Sequence, residues 1–168
     1  ITGEVGSALA AAHKKGIIHR DIKPANIILD DDTGRAMVTD FGIAAVRERE
    51  DKQPAIEITQ AGLAVGTPAY MSPEQLLAEP ATDKTDIYAL GVLGYELFIA
   101  EGPYQVSSPK ELMAAHLRDT PRRLSTMRGD IDPELERLLE NCLLKDPAKR
   151  PTAADVEKRL QHGASILL

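Results

Sequence analysis

The chain lacks the features that mark secreted and membrane-spanning proteins. It has one cysteine, Cys142, which excludes an internal disulfide and fits a reducing compartment. Its most apolar stretch, Ala89 to Ala100, is about half of the ~20 residues that a membrane span requires, and Glu96 interrupts it. Because there is no signal segment either, we expect a cytoplasmic protein with no membrane segment in this chain. Whether the complete protein is anchored to a membrane stays open.

Basic residues are also few. Lys and Arg number 20 against 26 Asp and Glu, which gives a formal net charge of −6. Proteins that bind nucleic acid need clustered Lys and Arg to contact phosphates. The basic groups here, Arg122-Arg123 and Lys145 to Arg150, are short and fit a solvated surface, so we expect no nucleic-acid partner. A length of 168 residues with 43% hydrophobic residues indicates one globular domain with a core of its own.

Hydrophobic spacing predicts a mainly α structure with one small hairpin. Helices are predicted over Thr2–Lys15, Pro73–Ala78, Thr85–Ala100 and Pro109–Arg118, and a further helix begins at Pro133. The last helix begins after Thr152, because Thr152 and Asp155 have the spacing of a capping box. The β-branched run Ile27 to Leu29, the turn residues 30–34 and a second short strand, Ala36 to Thr39, predict the hairpin. Residues 43–66 show no lasting periodicity, which predicts a mobile loop.

Two motifs stand on either side of this hairpin. Residues 19–26 read His-Arg-Asp-Ile-Lys-Pro-Ala-Asn, and residues 40–42 read Asp-Phe-Gly. An Asn five residues after the Asp, followed by Asp-Phe-Gly one short hairpin later, is a combination that chance rarely produces. Together the two motifs resemble the catalytic loop and the metal-binding motif of a protein kinase.

The resemblance implies a role for five residues in phosphoryl transfer from ATP. Asp21 would accept the proton of the substrate hydroxyl, and Lys23 would contact the transferring phosphoryl group as a point charge. Asn26 and Asp40 offer the hard oxygen ligands that Mg²⁺ prefers, and would hold the metal against the nucleotide phosphates. Ile28 of the hairpin is a further candidate for nucleotide binding, and we expect it to be sheltered in part by the nucleotide or by the N-terminal lobe.

A third motif resembles the substrate-docking end of a kinase activation segment, which would span residues 40–74. Residues 66–74 read Gly-Thr-Pro-Ala-Tyr-Met-Ser-Pro-Glu. In the family, the residue at Thr67 marks serine/threonine specificity, and the Arg at position 20 pairs with a phosphorylated loop residue. Thr59 is the best candidate for that phosphorylation, since Ala61 stands where bacterial kinases often carry a further Thr.

Five further residues are expected to have structural roles. His19 and Phe41 match the packing residues that set the geometry of the two catalytic motifs in the family. Glu74 should form an ion pair with Arg150 of the Lys-Arg-Pro-Thr segment. Asp86, at the start of a buried helix, should tie that helix to the backbone of the catalytic loop; the alternative is a charge that only favours the helix dipole.

The resemblance extends from about Thr2 to Gln161, and the residues of its motifs are similar to those of eukaryotic-like serine/threonine kinases of bacteria. It implies the α+β protein-kinase fold, here as its C-terminal lobe over residues 1–168: a helical body whose hairpin bears the catalytic and metal-binding loops. The chain has no glycine-rich loop and no Val-Ala-x-Lys segment. Its first residue is Ile, so we expect a piece of a longer protein whose N-terminal lobe is absent from this chain.

Two functions are compatible with these observations. The first is a protein kinase that transfers the ATP γ-phosphate to Ser and Thr hydroxyls of proteins once it is joined to its N-terminal lobe. The second is a truncated, non-catalytic kinase that serves as a protein-binding module. Small-molecule antibiotic kinases share a similar His-x-Asp and metal Asp, but they lack the Ser-Pro-Glu to Arg pairing and rank third.

Overall fold

The computed structural model describes residues 1–41, 57–58, 64–65 and 68–164, with the backbone alone at 57–58, 64–65 and 161–164. The helices are α1 (Thr2–His13), α2 (Pro73–Leu76), α3 (Asp83–Ile99), α4 (Pro109–Arg118), α5 (Leu124–Met127), α6 (Pro133–Cys142) and α7 (Ala153–Ala164). The strands are β1 (Ile27–Leu29), β2 (Ala36–Val38), β3 (Glu57–Ile58) and β4 (Ala64–Val65). Short 3₁₀ turns span Pro24–Asn26, Pro68–Tyr70 and Pro147–Lys149.

The predicted hairpin is present and is anchored to α1. Strands β1 and β2 pair antiparallel, with Ile27 opposite Val38 and Leu29 opposite Ala36. The Glu4 carboxylate of α1 accepts a hydrogen bond of 3.1 Å from the Ala36 amide. The hairpin therefore lies on α1, and its two ends lead into the two predicted catalytic motifs.

Helix α3 forms the centre of the helical body because it is buried on most of its circumference. One apolar cluster joins α1 to α3, α6 and α7 through side chains that include Val5, Leu9, Ile87 and Leu138. Helix α6 lies so close to α3 that a Cβ on Gly91 would be 2.8 Å from the Cβ of Cys142. Among the described residues, no helix is long and apolar enough to cross a membrane.

A second cluster, on the other side of α3, contains buried hydroxyl groups that are all hydrogen-bonded. The Tyr88 hydroxyl lies 2.8 Å from Nδ1 of His116 and 3.1 Å from the Tyr104 hydroxyl. Lys145 donates to the Tyr104 hydroxyl at 2.7 Å and to the His116 carbonyl at 2.7 Å. The Tyr95 hydroxyl donates to the Arg122 carbonyl at 2.8 Å. The cluster therefore satisfies its tyrosine hydroxyls while packing α3 against α4, and Nε2 of His116 is buried without a hydrogen-bond partner among the described residues.

Most predicted elements are confirmed, with corrections at the ends of four of them and one in the loop. Helix α1 ends at His13 rather than Lys15, and α2 ends at Leu76 rather than Ala78. Helix α3 begins at Asp83 rather than Thr85, because Thr82 caps it, and it ends at Ile99 rather than Ala100. Strand β2 ends at Val38 rather than Thr39.

Of residues 43–66, which the sequence predicts to be a mobile loop, only 57–58 and 64–65 lie within the described part of the chain, and these four residues form two short strands instead. There β3 pairs antiparallel with β4, with Glu57 opposite Val65. Two-residue strands are too short to show a periodicity of 2 in the sequence.

Candidate active site

The segment 19–26 lies between α1 and β1, and a buried carboxylate holds its backbone. Asp86 of α3 accepts a hydrogen bond from the His19 amide at 2.8 Å and one from the Arg20 amide at 2.7 Å. Nε2 of His13, at the end of α1, lies 2.8 Å from the same carboxylate. Asp86 therefore joins two helices and the loop, which is more than a charge that favours the helix dipole.

His19 connects the two motifs that flank the hairpin. Its ring is fully buried, and its Nε2 lies 2.7 Å from the carbonyl oxygen of Thr39, so it donates there. Its Nδ1 accepts a hydrogen bond of 3.2 Å from the Asp21 amide. Phe41 packs edge-on against the His19 ring, with 4.9 Å between the ring centroids. The imidazole thus links the residue before Asp40 to the backbone of Asp21, and neither ring nitrogen is left to act as a base.

Two polar side chains, those of Lys23 and Asn26, contact Asp21. Its Oδ2 is 2.8 Å from the Lys23 ammonium and accepts a hydrogen bond of 3.0 Å from the Asn26 amide nitrogen. The same nitrogen donates to the Asp21 carbonyl at 2.7 Å. Among the described residues, the second carboxylate oxygen, Oδ1, has no such partner. Asp21 is exposed, so a hydroxyl group from solvent or substrate can reach that oxygen.

The donors around Asn26 and Asp40 fit a magnesium ion that is also held by phosphates. The Asn26 amide nitrogen is used by Asp21, which leaves its amide oxygen for a cation. Asp40 is exposed and has a φ of 61°, in the left-handed region. Within the described ranges, no group of three or more His, Cys, Asp or Glu side chains could hold a metal alone. Mg²⁺ does not need one, because it commonly keeps waters and substrate phosphates as ligands.

The end of the third motif is fixed to the helical body by a buried ion pair. Arg150 Nη1 and Nη2 donate to the two oxygens of Glu74 at 2.7 and 2.8 Å. The Thr85 hydroxyl of α3 also donates to Glu74 at 2.9 Å. Burial alone would raise the pKa of Glu74, but the bonds from Arg150 outweigh it and the pKa is lowered. The pair expected between Glu74 and Arg150 is therefore present, and Glu74 is held as a carboxylate.

Other predicted positions fall in different parts of the structure. Ile28 is 51% exposed on the hairpin, which leaves its side chain accessible to a nucleotide. Arg20 is partly buried and has a φ of 70°. Thr59 and Thr67 lie outside the described residues.

Tyr70, three residues after Thr67, forms a short hydrogen bond with Glu96 of α3. Burial, and to a smaller extent this hydrogen bond, raises the pKa of the Tyr70 hydroxyl.

Two residues that contact the loop were missed by reasoning from sequence. His13 gave no signal, because a lone His at the end of a helix fits many roles. Gln75 did give one, since Ser72 and Gln75 have the spacing of a capping box, and the structure contains both bonds of that box. The Gln75 side chain also donates to the Arg20 carbonyl at 2.9 Å, which no local pattern indicates.

Comparisons with known proteins agree with this arrangement. The family model for the protein kinase domain matches residues 1–162. The chain is 39% identical over 163 residues to serine/threonine-protein kinase PkaA of Streptomyces coelicolor, and the aligned region covers 96% of this chain and 28% of that protein. It is 39% identical over 163 residues to serine/threonine-protein kinase pkn3 of Myxococcus xanthus, covering 94% of this chain and 29% of that protein.

A third relative is serine/threonine-protein kinase PknA of Mycobacterium tuberculosis, 37% identical over 147 residues that cover 88% of this chain. The chain belongs to the protein kinase domain family, and its resemblance to bacterial serine/threonine kinases is confirmed. It spans 28% to 32% of the length of these three curated relatives.

Proposed function

We propose that residues 1–168 are the C-terminal lobe of a serine/threonine protein kinase that transfers the γ-phosphate of ATP to Ser and Thr hydroxyls of proteins. The observation that carries the proposal is the arrangement around Asp21. Its Oδ2 accepts hydrogen bonds from Lys23 and Asn26, while Oδ1, which has no such partner among the described residues, is the oxygen that can accept a proton. A carboxylate held in this way can take the hydroxyl proton as the hydroxyl oxygen attacks phosphorus and ADP leaves.

The neighbouring residues neutralise and orient the phosphates. Lys23, 2.8 Å from Asp21, is close enough to contact both the base and a phosphoryl oxygen. The amide oxygen of Asn26 and the carboxylate of Asp40 would hold Mg²⁺. When bound, the ion neutralises charge that develops on the phosphate oxygens. The half-exposed Ile28 would contact the nucleotide base from the hairpin.

Activation and substrate choice are assigned to the segment 40–74. Thr67 would select serine/threonine substrates by contacting Asp21 and Lys23. Thr59, once phosphorylated, would pair with the Arg20 guanidinium through charge-assisted hydrogen bonds and order this segment. The proposal places the reaction in the cytoplasm. It assigns activity to the complete protein rather than to this chain alone, because the glycine-rich loop and the strand lysine that contact ATP phosphates in this family are not in this sequence.

The test is phosphate transfer by the complete protein and by two matched variants. Asp21→Asn removes the base without changing its size, and kcat should fall by at least about 10²-fold, the effect of losing a positioned base. Asp31→Asn makes the same change at an exposed position of the hairpin turn and should leave kcat unchanged. Transfer from radiolabelled ATP to casein measures both. A wild-type protein that binds casein without transferring phosphate would support the non-catalytic binding module instead.

A further inference from the structure

The backbone immediately before Asp21 is in an unfavourable conformation. Arg20 has a φ of 70°, in the left-handed region, where the Cβ of a residue with a side chain comes too close to the following carbonyl oxygen. Such a conformation persists only where the surroundings determine it. The conformation of Arg20 also sets the direction in which the next residue leaves the loop, so whatever holds Arg20 helps to place Asp21.

Two side chains from two different helices hold the backbone of Arg20. Its amide donates to Oδ1 of Asp86, from α3, at 2.7 Å. Its carbonyl oxygen accepts a hydrogen bond of 2.9 Å from Nε2 of Gln75, from α2. The carbonyl of Arg20 and the amide of Asp21 belong to one planar peptide group. The bond from Gln75 therefore restricts the rotation of the peptide plane that precedes the Cα of Asp21.

The other end of the Gln75 amide is fixed as well. Its Oε1 accepts a hydrogen bond of 3.0 Å from the Ser72 amide and one of 3.3 Å from the Ser72 hydroxyl. Ser72 is fully buried at the start of α2, where its hydroxyl accepts from the Gln75 amide. One side-chain amide thus connects the N-cap of α2, Ser72, to the loop backbone. This bridge requires a donor and an acceptor on a side chain of the length of Gln.

We propose that Gln75 is a positioning residue for the reaction: its Nε2 holds the Arg20 carbonyl, and so couples the orientation of Asp21 to the docking of α2. The expected effect of Gln75 on kcat rests on the proposed function, whereas its effect on the loop backbone does not. The proposal implies that displacement of α2, whose first two residues are the last two of the third motif, rotates the peptide before Asp21 and misaligns the base. Small displacements of a catalytic group lower the rate strongly, because proton transfer depends on geometry.

Two substitutions separate this role from helix capping. Gln75→Glu keeps the length and the oxygen that accepts from Ser72, but it replaces the donor by an oxygen facing the Arg20 carbonyl. Ser72→Ala removes the capping hydroxyl and its 3.3 Å bond to Oε1 of Gln75, but it keeps the 3.0 Å bond from the Ser72 amide to Oε1 and the bond from Gln75 to Arg20. In the complete protein, Gln75→Glu should lower kcat at least about tenfold with KM for ATP within about twofold of wild type. Ser72→Ala should keep kcat within about threefold of wild type, since it acts on stability.

A second measurement does not depend on phosphate transfer. The amides of His19 and Arg20 are bound to Asp86, so their hydrogen exchange reports on the integrity of the loop. Exchange at both amides should be at least about tenfold faster in Gln75→Glu, and unchanged in Ser72→Ala. If Gln75→Glu is poorly folded, Gln75→Met takes its place as the test variant. Met has a similar length but neither a donor nor a charge, so this variant should also show faster exchange at both amides and a lower kcat.

The outcomes are distinct. Faster exchange at His19 and Arg20 together with a lower kcat supports the proposal. Unchanged exchange, or faster exchange with the kcat of wild type, overturns it. If the wild-type protein transfers no phosphate, the proposed function fails, and the exchange measurement alone decides whether Gln75 holds the loop.

Discussion

Arg150 and Glu74 form a two-point ion pair in which every N–H of the guanidinium is used. Two of its N–H groups donate to the Glu74 oxygens at 2.7 and 2.8 Å. The other three donate to the carbonyl oxygens of Leu144, Lys84 and Lys145 at 2.7 to 3.0 Å. Arg has five donors in a fixed fork, so this site uses the complete side chain. The segment that follows α6 is thereby joined to the first turns of α2 and α3.

The first prediction is that Arg150→Met destabilises the protein by about 3–5 kcal/mol, because it leaves the Glu74 charge buried without its partner. Glu74→Gln should cost less, since the amide keeps an oxygen that can accept from Arg150. Urea unfolding followed by circular dichroism measures both. Lys149→Met removes an exposed neighbouring cation and should change the unfolding free energy by no more than about 0.5 kcal/mol. An equal cost for Arg150→Met and Lys149→Met would contradict the prediction.

The second prediction concerns pH. Burial of the His116 ring, and then the nearby Lys145 ammonium, lower its pKa from 6.5 to about 4. Between those two values the unfolded chain binds a proton that the folded protein does not. The contribution of His116 to stability is therefore complete above pH 6.5 and is lost as the pH falls toward 4, by roughly 3 kcal/mol.

The measurement is the urea midpoint of wild type and of His116→Phe at a series of pH values. The variant should be less stable near neutral pH, because Tyr88 loses the 2.8 Å partner that Nδ1 provides, but its stability should fall less steeply in acid. Glu74 also loses its charge in acid, so some slope remains in both proteins. Parallel curves for the two proteins would show that His116 does not titrate between its folded and unfolded values.

The third prediction concerns the contact between α3 and α6. A Cβ at Gly91 would lie 2.8 Å from the Cβ of Cys142 and 3.1 Å from Cδ2 of Leu143, so Gly91→Ala forces the helices apart. Overpacking of this kind costs about 1–3 kcal/mol. That cost exceeds the ~1 kcal/mol that alanine gains over glycine in helix propensity. Thermal unfolding should therefore show a lower Tm, whereas Gly129→Ala meets nothing within 4 Å and should leave Tm unchanged. A Tm for Gly91→Ala at or above that of wild type would mean that the two helices separate without cost.

The fourth prediction, which rests on the proposed function, concerns Asp40. Asp40→Asn keeps the size of the residue and suits a φ of 61°, because Asn is among the residues enriched in the left-handed region. It removes the charge that would hold Mg²⁺. In the complete protein, kcat should fall at least about 10²-fold while circular dichroism and Tm stay unchanged, and added Mg²⁺ should recover part of the rate. A variant with the Mg²⁺ dependence of wild type would exclude Asp40 as a ligand.

Signals contained within a few neighbouring residues predicted most of the fold. Helix α6 was predicted from Pro133 and from an apolar stripe that ends at Cys142, and it runs over those residues. The hairpin was predicted because β-branched residues flank a turn at residues 30–34. Such patterns succeed when the start signal, the periodicity and the stop signal all lie within one element.

Contacts between distant parts of the chain could not be read in this way. His13 and Asp86 are 73 positions apart, and Gln75 is 55 positions from Arg20, so no spacing indicates that they meet. The pairing of Glu74 with Arg150 was expected only because a known family contains it. Physical reasoning from sequence therefore led to a prediction of the groups that react, whereas the side chains that hold the backbone of this loop emerged from the packing of α1, α2 and α3.

The four tyrosines provide an absorbance signal for the unfolding of the chain at alkaline pH. It contains no tryptophan, so its near-ultraviolet absorbance comes mainly from four tyrosines. Each of the four hydroxyls, on Tyr70, Tyr88, Tyr95 and Tyr104, is hydrogen-bonded in the folded protein, and burial raises the pKa of each above 10. In an alkaline titration, the absorbance of ionised tyrosine should therefore rise in one steep step as the chain unfolds, without the gradual change expected of solvated phenols near pH 10.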